Sequence, residues 1–244
     1  MSYKVCLTTK VRPEKLKEGS GIIVVEPEDY TKAQIKAIKK RGYKVLAYLS
    51  VGTISTEREW YKKYADCKLK RLPDWPKEYY MDLRRNEWSL FLVERAKMLK
   101  GFGYDGWWLD NIDVYSEYRS REMFVAVSTV LIRIKNLGGY VMINGGSEWL
   151  DDAIDKKANL AIHLDGYTQE EVFSLIKNYS GRGKFGKQRK ADSKYYKSMI
   201  KKAIKRGVGG FLLEYTRDDE LKKKIRKWCK ENKASCCISE DVNL

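Results

Sequence analysis

The sequence predicts a single (β/α)8 barrel of the TIM type, an α/β fold, on three observations. Eight short strand candidates alternate with helix-like segments along the chain. Most of the strand candidates are near-continuously apolar, the pattern of parallel strands buried on both faces. The length, 244 residues, is about what eight such units occupy. An open doubly wound sheet is the other arrangement compatible with the alternation. With no internal repeat and no low-complexity linker, residues 1–244 read as one domain.

The elements follow in order. Residues 3–8 form a short strand candidate, and 21–26 (Gly-Ile-Ile-Val-Val-Glu) a stronger one. A helix over 31–41 starts at a Thr31 cap and stops at Gly42. Strand three is 44–50. The long stretch after it carries Trp60, Trp75 and Trp88, with Pro73 and Pro76 as breakers, and becomes helical over 87–100. Strand four is 106–110. A helix over 119–136 ends at Gly138-Gly139, and strand five, 140–144, runs into Gly145-Gly146. Strand six is read at 160–164, then helical material over 170–179, a Gly-, Lys- and Arg-rich loop over 180–190, and a helix over 193–206. Strand seven is 210–215. The helix over 218–232 is acidic at its start and basic at its end, which suits the helix dipole. Strand eight is 235–239.

Composition narrows the classes. Lys and Arg number 49 against 33 Asp and Glu, a net charge of +16. That balance points to an anionic partner or to solvated helix faces. A single histidine, His163, argues against histidine metal ligation. Five cysteines without a CxxC pair leave no zinc spacing, so no metal and no organic cofactor is expected. Buried thiols are the default reading, with one bridge as the alternative. No apolar run reaches membrane-spanning length, and no signal peptide is read at the start. Gly101 to Gly106 matches GxGxxG but precedes a strand, the reverse of the dinucleotide fingerprint. Gly181 to Gln188 nearly matches a P-loop but places Gln188 where Ser or Thr should stand. Neither is a nucleotide site, and no nucleic-acid partner is expected.

Chemistry gathers where the predicted strands end. Glu26 follows strand two. Tyr48 and Ser50 lie on strand three. Asp110, Asn111 and Asp113 close strand four, Asn144 closes strand five, and Glu214 and Tyr215 close strand seven. Strand six leads to Asp165, Tyr167, Gln169, Glu170 and Glu171. In a barrel these ends converge on one mouth. Each also has a structural alternative: Glu26 as a turn cap, Asp105 as a brace before strand four, Asn144 serving its glycine turn, Glu170 and Glu171 as first-turn helix acids. Together, an acidic mouth lined with Tyr and Trp suits glycoside hydrolysis, in which aromatic faces stack on sugars and two carboxylates do the chemistry.

At these residues the chain resembles glycoside hydrolase family 114, the endo-α-1,4-polygalactosaminidase-like barrels. Ala47-Tyr48-Leu49-Ser50-Val51-Gly52 is similar to that family's AYLSVGE strand. Gly103 to Asp113 is similar to its GFDGVFLDNxD segment, and Met142-Ile143-Asn144-Gly145-Gly146 to its INGG. Residues 165–173 are similar to its Asp-Gly to Glu-x-x-Phe segment. The resemblance implies a hydrolase of an amino-sugar polysaccharide. It implies Asp110 as nucleophile or base and Glu170 as general acid, with Glu171 as second choice. It places Tyr48, Asp113 and Asn144 along the sugar site; Glu26, Tyr167, Glu214 and Tyr215, read from the strand ends, complete the expected substrate-lining residues. Members are often secreted; a monomer is expected. Thr53 replaces the acid after Ser-Val-Gly, Glu26 stands for the usual Asp, and Trp107-Trp108 is bulkier than the family pattern. Polygalactosamine is cationic, so an N-acetylated or anionic glycan fits the net charge better. Retention and inversion both remain open, as do two other classes: a non-catalytic carbohydrate- or wall-binding barrel, and a charge-driven nucleic-acid binder.

Overall fold

The computed structural model describes residues 2–73 and 75–244. In chain order its strands are β1 (Ser2–Cys6), β2 (Gly21–Val25), β3 (Tyr43–Ser50), β4 (Thr53–Ser55), β5 (Lys68–Arg71), β6 (Glu78–Met81), β7 (Gly106–Asp110), β8 (Tyr140–Asn144), β9 (Gly166–Glu170), β10 (Ser174–Asn178), β11 (Lys184–Lys187), β12 (Gly209–Tyr215) and β13 (Ser235–Ser239). The α-helices are α1 (Lys32–Lys40), α2 (Asn86–Phe102), α3 (Val114–Glu117), α4 (Arg121–Lys135), α5 (Ser147–Asp155), α6 (Lys190–Lys205) and α7 (Asp219–Glu231). Eight parallel strands run in the order β1-β2-β3-β7-β8-β9-β12-β13 and curve into a barrel. It is closed but for one seam, where β1 and β13 lie side by side without a shared ladder. Helices cover the outside.

Because side chains alternate along a strand, each barrel strand feeds two cores. Ile22, Val24, Leu46, Trp108, Met142, Phe211 and Leu213 point inward and pack with Tyr3. Ile23, Val25, Val45, Leu109, Ile143 and Leu212 point outward into the helix layer. The Trp107-Trp108 pair divides between them. The Trp107 indole N–H bonds the Ala96 carbonyl of α2 at 3.0 Å. The Trp108 indole bonds the Tyr3 hydroxyl at 3.0 Å across the barrel interior.

Two Asp-Gly pairs brace the strand starts in the same way. Asp105 accepts the Val45 N–H at 2.9 Å and pairs with Lys39 at 2.7 Å. Asp165 accepts the Val141 N–H at 2.9 Å and pairs with Lys135 at 2.6 Å. Each carboxylate satisfies a strand N–H with no ladder partner, and the following glycine starts the next strand. Asp105→Ala is therefore expected to cost about 1–2 kcal/mol, most of it from the orphaned amide rather than the partly exposed ion pair. Urea unfolding should show a lower midpoint at unchanged slope.

The structure departs from the sequence reading around strand six. Leu160–Ile162 is a 3-10 turn, and the strand is β9, starting at Gly166. Asp165 consequently sits at the bottom of the barrel, not at the mouth. Residues 174–187 form the antiparallel hairpin β10–β11, where helical material over 170–179 and a loop over 180–190 were expected. The stretch after β3 holds a three-stranded antiparallel sheet, β4-β6-β5. All five cysteines are free thiols.

Candidate active site

The inward register carries the site. Two residues beyond Leu46, Trp108, Met142 and Leu213 stand Tyr48, Asp110, Asn144 and Tyr215, and Glu170 occupies the matching place on β9. All five line one cleft of about 410 Å³ at the C-terminal ends of the strands. A second lobe of about 270 Å³ opens past Glu170 and Asn144 toward Gln169, Glu171 and Tyr196.

Asn144 joins the two central carboxylates. Its side-chain nitrogen donates to Asp110 Oδ1 at 2.9 Å and to Glu170 Oε1 at 2.5 Å. The two oxygens are therefore no further apart than those bonds laid end to end. Glu170 Oε2 accepts the Tyr215 hydroxyl at 2.8 Å. Asp110 Oδ2 accepts from the Asn111 amide at 3.2 Å, and the Tyr48 hydroxyl bonds the same carboxylate. Asn111 adopts a left-handed backbone (φ 62°), which turns its amide back toward Asp110 and Ser50. The Asn144 side-chain oxygen, Oδ1, is buried and has no hydrogen-bond partner among the described residues, consistent with an amide turned wholly to serving carboxylates.

Enclosure sets the proton affinities. Glu170 keeps some exposed surface, but its carboxyl is walled in. Burial, then the Asp110 charge, raises its pKa to about 7. Asp110 is also raised by burial, opposed by the Asn144, Asn111 and Tyr48 hydrogen bonds. Asp113 is raised to about 6, burial leading and the Gly146 N–H opposing at 2.8 Å. Gly145 and Gly146 both have left-handed φ, and a Cβ on Gly145 would strike the Asp113 carboxylate, so the turn after β8 has to be glycine.

A raised carboxyl pKa has a stability sign. The folded state holds the Glu170 proton up to about pH 7, whereas the unfolded chain releases it near 4.3. Burying the protonated form costs least, so this contribution is intact below about pH 4 and is lost as pH rises through about 7. Glu170→Gln removes the penalty. Its melting temperature relative to wild type is expected to climb between pH 5 and pH 8. A constant difference across that range would count against an enclosed, protonated Glu170.

The other expected residues fall into two groups. Asp113 lines both lobes. Glu26 is neutralised by Arg58 through a two-pronged pair at 2.9 and 3.0 Å, in a small side pocket behind Tyr48. Glu214 faces outward and is fully buried. It accepts the Phe173 and Ser174 N–H groups and the Ser174 hydroxyl, anchoring β10. Tyr167 also faces outward, sealed in the helix-side core. Glu171, at a left-handed φ of 55°, turns from the cleft and accepts the Ile176 N–H. It is Glu170 that stands beside Asp110.

Among the cleft residues not foreseen, three carry a carboxylate or an aromatic ring. Glu78, from β6, is held by the Thr53 hydroxyl at 2.9 Å, and its pKa is raised by burial and the Asp110 charge. Trp75 and Tyr179 stand edge to face 5.4 Å apart, each about half exposed. A Trp in a Pro-flanked loop and a Tyr before a glycine were the only signals. Among the described residues no group of three or more His, Cys, Asp or Glu is placed to hold a metal ion.

Residues 1–240 match the sequence profile of glycoside-hydrolase family GH114. The chain belongs to that family. This GH114 protein is thus a glycoside hydrolase acting on carbohydrate. No curated protein sequence matches it. Among solved structures, it superposes on the glycoside hydrolase domain of PelA from Pseudomonas aeruginosa with a TM-score of 0.82. Identity is 18%, covering 100% of this chain and 96% of that one. Aspergillus fumigatus Ega3, in complex with galactosamine, gives 0.76 at 16% identity, covering 100% and 92%. An α-galactosidase from Thermus thermophilus gives 0.56 at 11% identity, covering 98% and 57%. At these identities the superpositions show the barrel fold that the GH114 chain shares. No helix among its described residues is long and apolar enough to cross a membrane.

Proposed function

We propose that this hydrolase cleaves an amino-sugar polymer by double displacement with retention, using Asp110 as nucleophile and Glu170 as acid and base. One observation carries the reading: a closely spaced carboxyl pair in a cleft whose described lining holds Glu78, Asp110, Asp113 and Glu170 and no Lys or Arg. Retaining enzymes hold their carboxyls about 5–5.5 Å apart and inverting ones about 6.5–9.5 Å. The Asn144 nitrogen shared by one oxygen of each carboxylate supports the near class.

In the first step Glu170 gives its proton to the glycosidic oxygen as Asp110 attacks the anomeric carbon. The sugar–oxygen bond breaks and a glycosyl ester on Asp110 forms. In the second step Glu170, now a carboxylate, takes a proton from water. The water oxygen displaces Asp110 and the configuration is restored. Trp75 and Tyr179 offer faces on which sugar rings stack.

The acids favour a sugar bearing an ammonium group. The net charge of +16 does not oppose this, because salt screens distant lysines within about 8–10 Å while the cleft acids act at contact. The galactosamine bound to Ega3 supports the same substrate class. The test is product release from galactosamine and glucosamine polymers, each acetylated and deacetylated. Oligosaccharides from the deacetylated or partly acetylated chains are expected. Binding without release from every polymer would instead favour a carbohydrate-binding barrel.

A further inference from the structure

A second groove runs between α6 and α7, with a volume of about 1100 Å³, and meets the second lobe of the cleft at Gln188. Along α6, Lys190, Lys194, Lys197, Lys201 and Lys205 recur every three or four residues, so they form one stripe on one face. That stripe borders the groove. Lys187 of β11 extends it toward the mouth, and Lys224 of α7 faces it from the other side. None of the seven forms a salt bridge among the described residues, although many other lysines on this protein do. Lys202, one position off the stripe, is taken up by Asp151 at 2.5 Å. The two acids at the groove are already engaged: Asp218 caps α7, and Glu220 pairs with Lys223.

Six of the seven lysines are exposed, as on a solvated face. The seventh, Lys197, is half-buried, packed over the Phe173 ring at 3.7 Å and donating to Ser193 Oγ at 2.7 Å. Burial, with Lys224 and Lys201 nearby, pulls its pKa down. Seven lysines along one groove outnumber its two engaged acids and repel each other, and an anionic ligand relieves that.

We propose that the α6–α7 groove binds a linear acidic polysaccharide carrying about one negative group per sugar, and so docks the hydrolase on a polyanionic matrix. The lysines recur about once per helical turn, a spacing of about 5.4 Å. One acid per sugar ring matches such a ladder, whereas duplex DNA carries one charge per about 1.7 Å of its axis, about three times that density. Among the described residues the rings at the groove are covered by the stripe itself: Phe173 is buried beneath Lys197, and Trp228, edge to face with Phe173, lies under Lys201 at 5.9 Å, which leaves little open face for stacking bases.

The test measures affinity for polygalacturonate, and for duplex DNA of equal total charge, over a range of salt concentrations. Wild type is compared with Lys194→Gln/Lys201→Gln and with Lys36→Gln/Lys40→Gln. The second pair removes the same charge from exposed positions on α1. Polygalacturonate binding is expected to weaken at least about tenfold, with a shallower salt slope, in the groove variant, and less than about twofold in the α1 variant. Equal losses in both variants would reduce the effect to net charge and overturn the site. Tighter binding to DNA than to polygalacturonate would overturn the ligand class. Hydrolysis at the cleft is measured alongside, so failure of the groove and failure of the cleft assignment read separately.

Discussion

Asp110→Asn and Glu170→Gln are each expected to abolish turnover, but with different signatures. Loss of a general acid costs about 10²–10⁴ in kcat, and loss of the nucleophile at least as much. On a substrate with a good leaving group the two separate. Glu170→Ala should still form the glycosyl ester on Asp110, because no proton need be given to such a leaving group. Azide then attacks that ester and yields a glycosyl azide of retained configuration. An Asp110→Ala variant rescued by azide should give the inverted product instead. Wild-type kcat/KM should fall as pH rises through about 7, where Glu170 loses its proton, and that limb should vanish in Glu170→Ala. Retained activity in Asp110→Asn, or an inverted product from wild type, would defeat the double-displacement assignment.

Trp108→Ala is the largest stability change expected. The indole is fully buried inside the barrel, bonds the Tyr3 hydroxyl, and supports Tyr48 with ring centres 5.9 Å apart. Emptying such a site costs about 3–5 kcal/mol. For a chain of this size that is a drop of roughly 6–20 °C in melting temperature. Trp108→Phe keeps most of the volume and loses the N–H bond, so about 1–2 kcal/mol is expected. Because Trp108 is also the floor beneath Tyr48 and Asp110, the Ala variant should lose kcat even well below its melting temperature. Trp107→Ala, on the outward face, should match the stability loss while leaving kcat closer to wild type. Calorimetry paired with kinetics at low temperature distinguishes the two tryptophans.

What the sequence made legible follows from polarity patterns. β2, β7 and β8 are apolar on both faces, so both the fold class and the places of Asp110 and Asn144 could be read from them. β9 could not. Its inward positions, Thr168 and Glu170, are polar because they serve the barrel interior and the cleft, and the apolar run before it, Leu160 to Leu164, looked more like a strand. Tyr167 and Glu214 were expected at the mouth because they lie near strand ends. Strand ends alternate faces, however, and each of the two lies one residue off the inward register. Glu171 was separated from Glu170 by the same alternation. Glu78, Trp75 and Tyr179 reach the cleft from an inserted sheet and a hairpin, whose packing depends on contacts distant in sequence.

The unladdered seam between β1 and β13 has a consequence for how the barrel moves. Every other barrel strand is hydrogen-bonded on both sides, so its amides are released only by events that disrupt two neighbours. Along the seam β1 and β13 share no ladder. It is bridged at the mouth instead, where the Thr8 hydroxyl and Thr9 N–H reach the Leu244 carbonyl at 2.7 and 3.0 Å. Leu244 also lines the cleft. Local opening should therefore begin here, with β1 and β13 exchanging their amide hydrogens faster than β7 or β8. A glycan seated in the cleft and touching this latch would slow that exchange, so substrate occupancy should be readable at the seam, in strands that carry none of the catalytic groups.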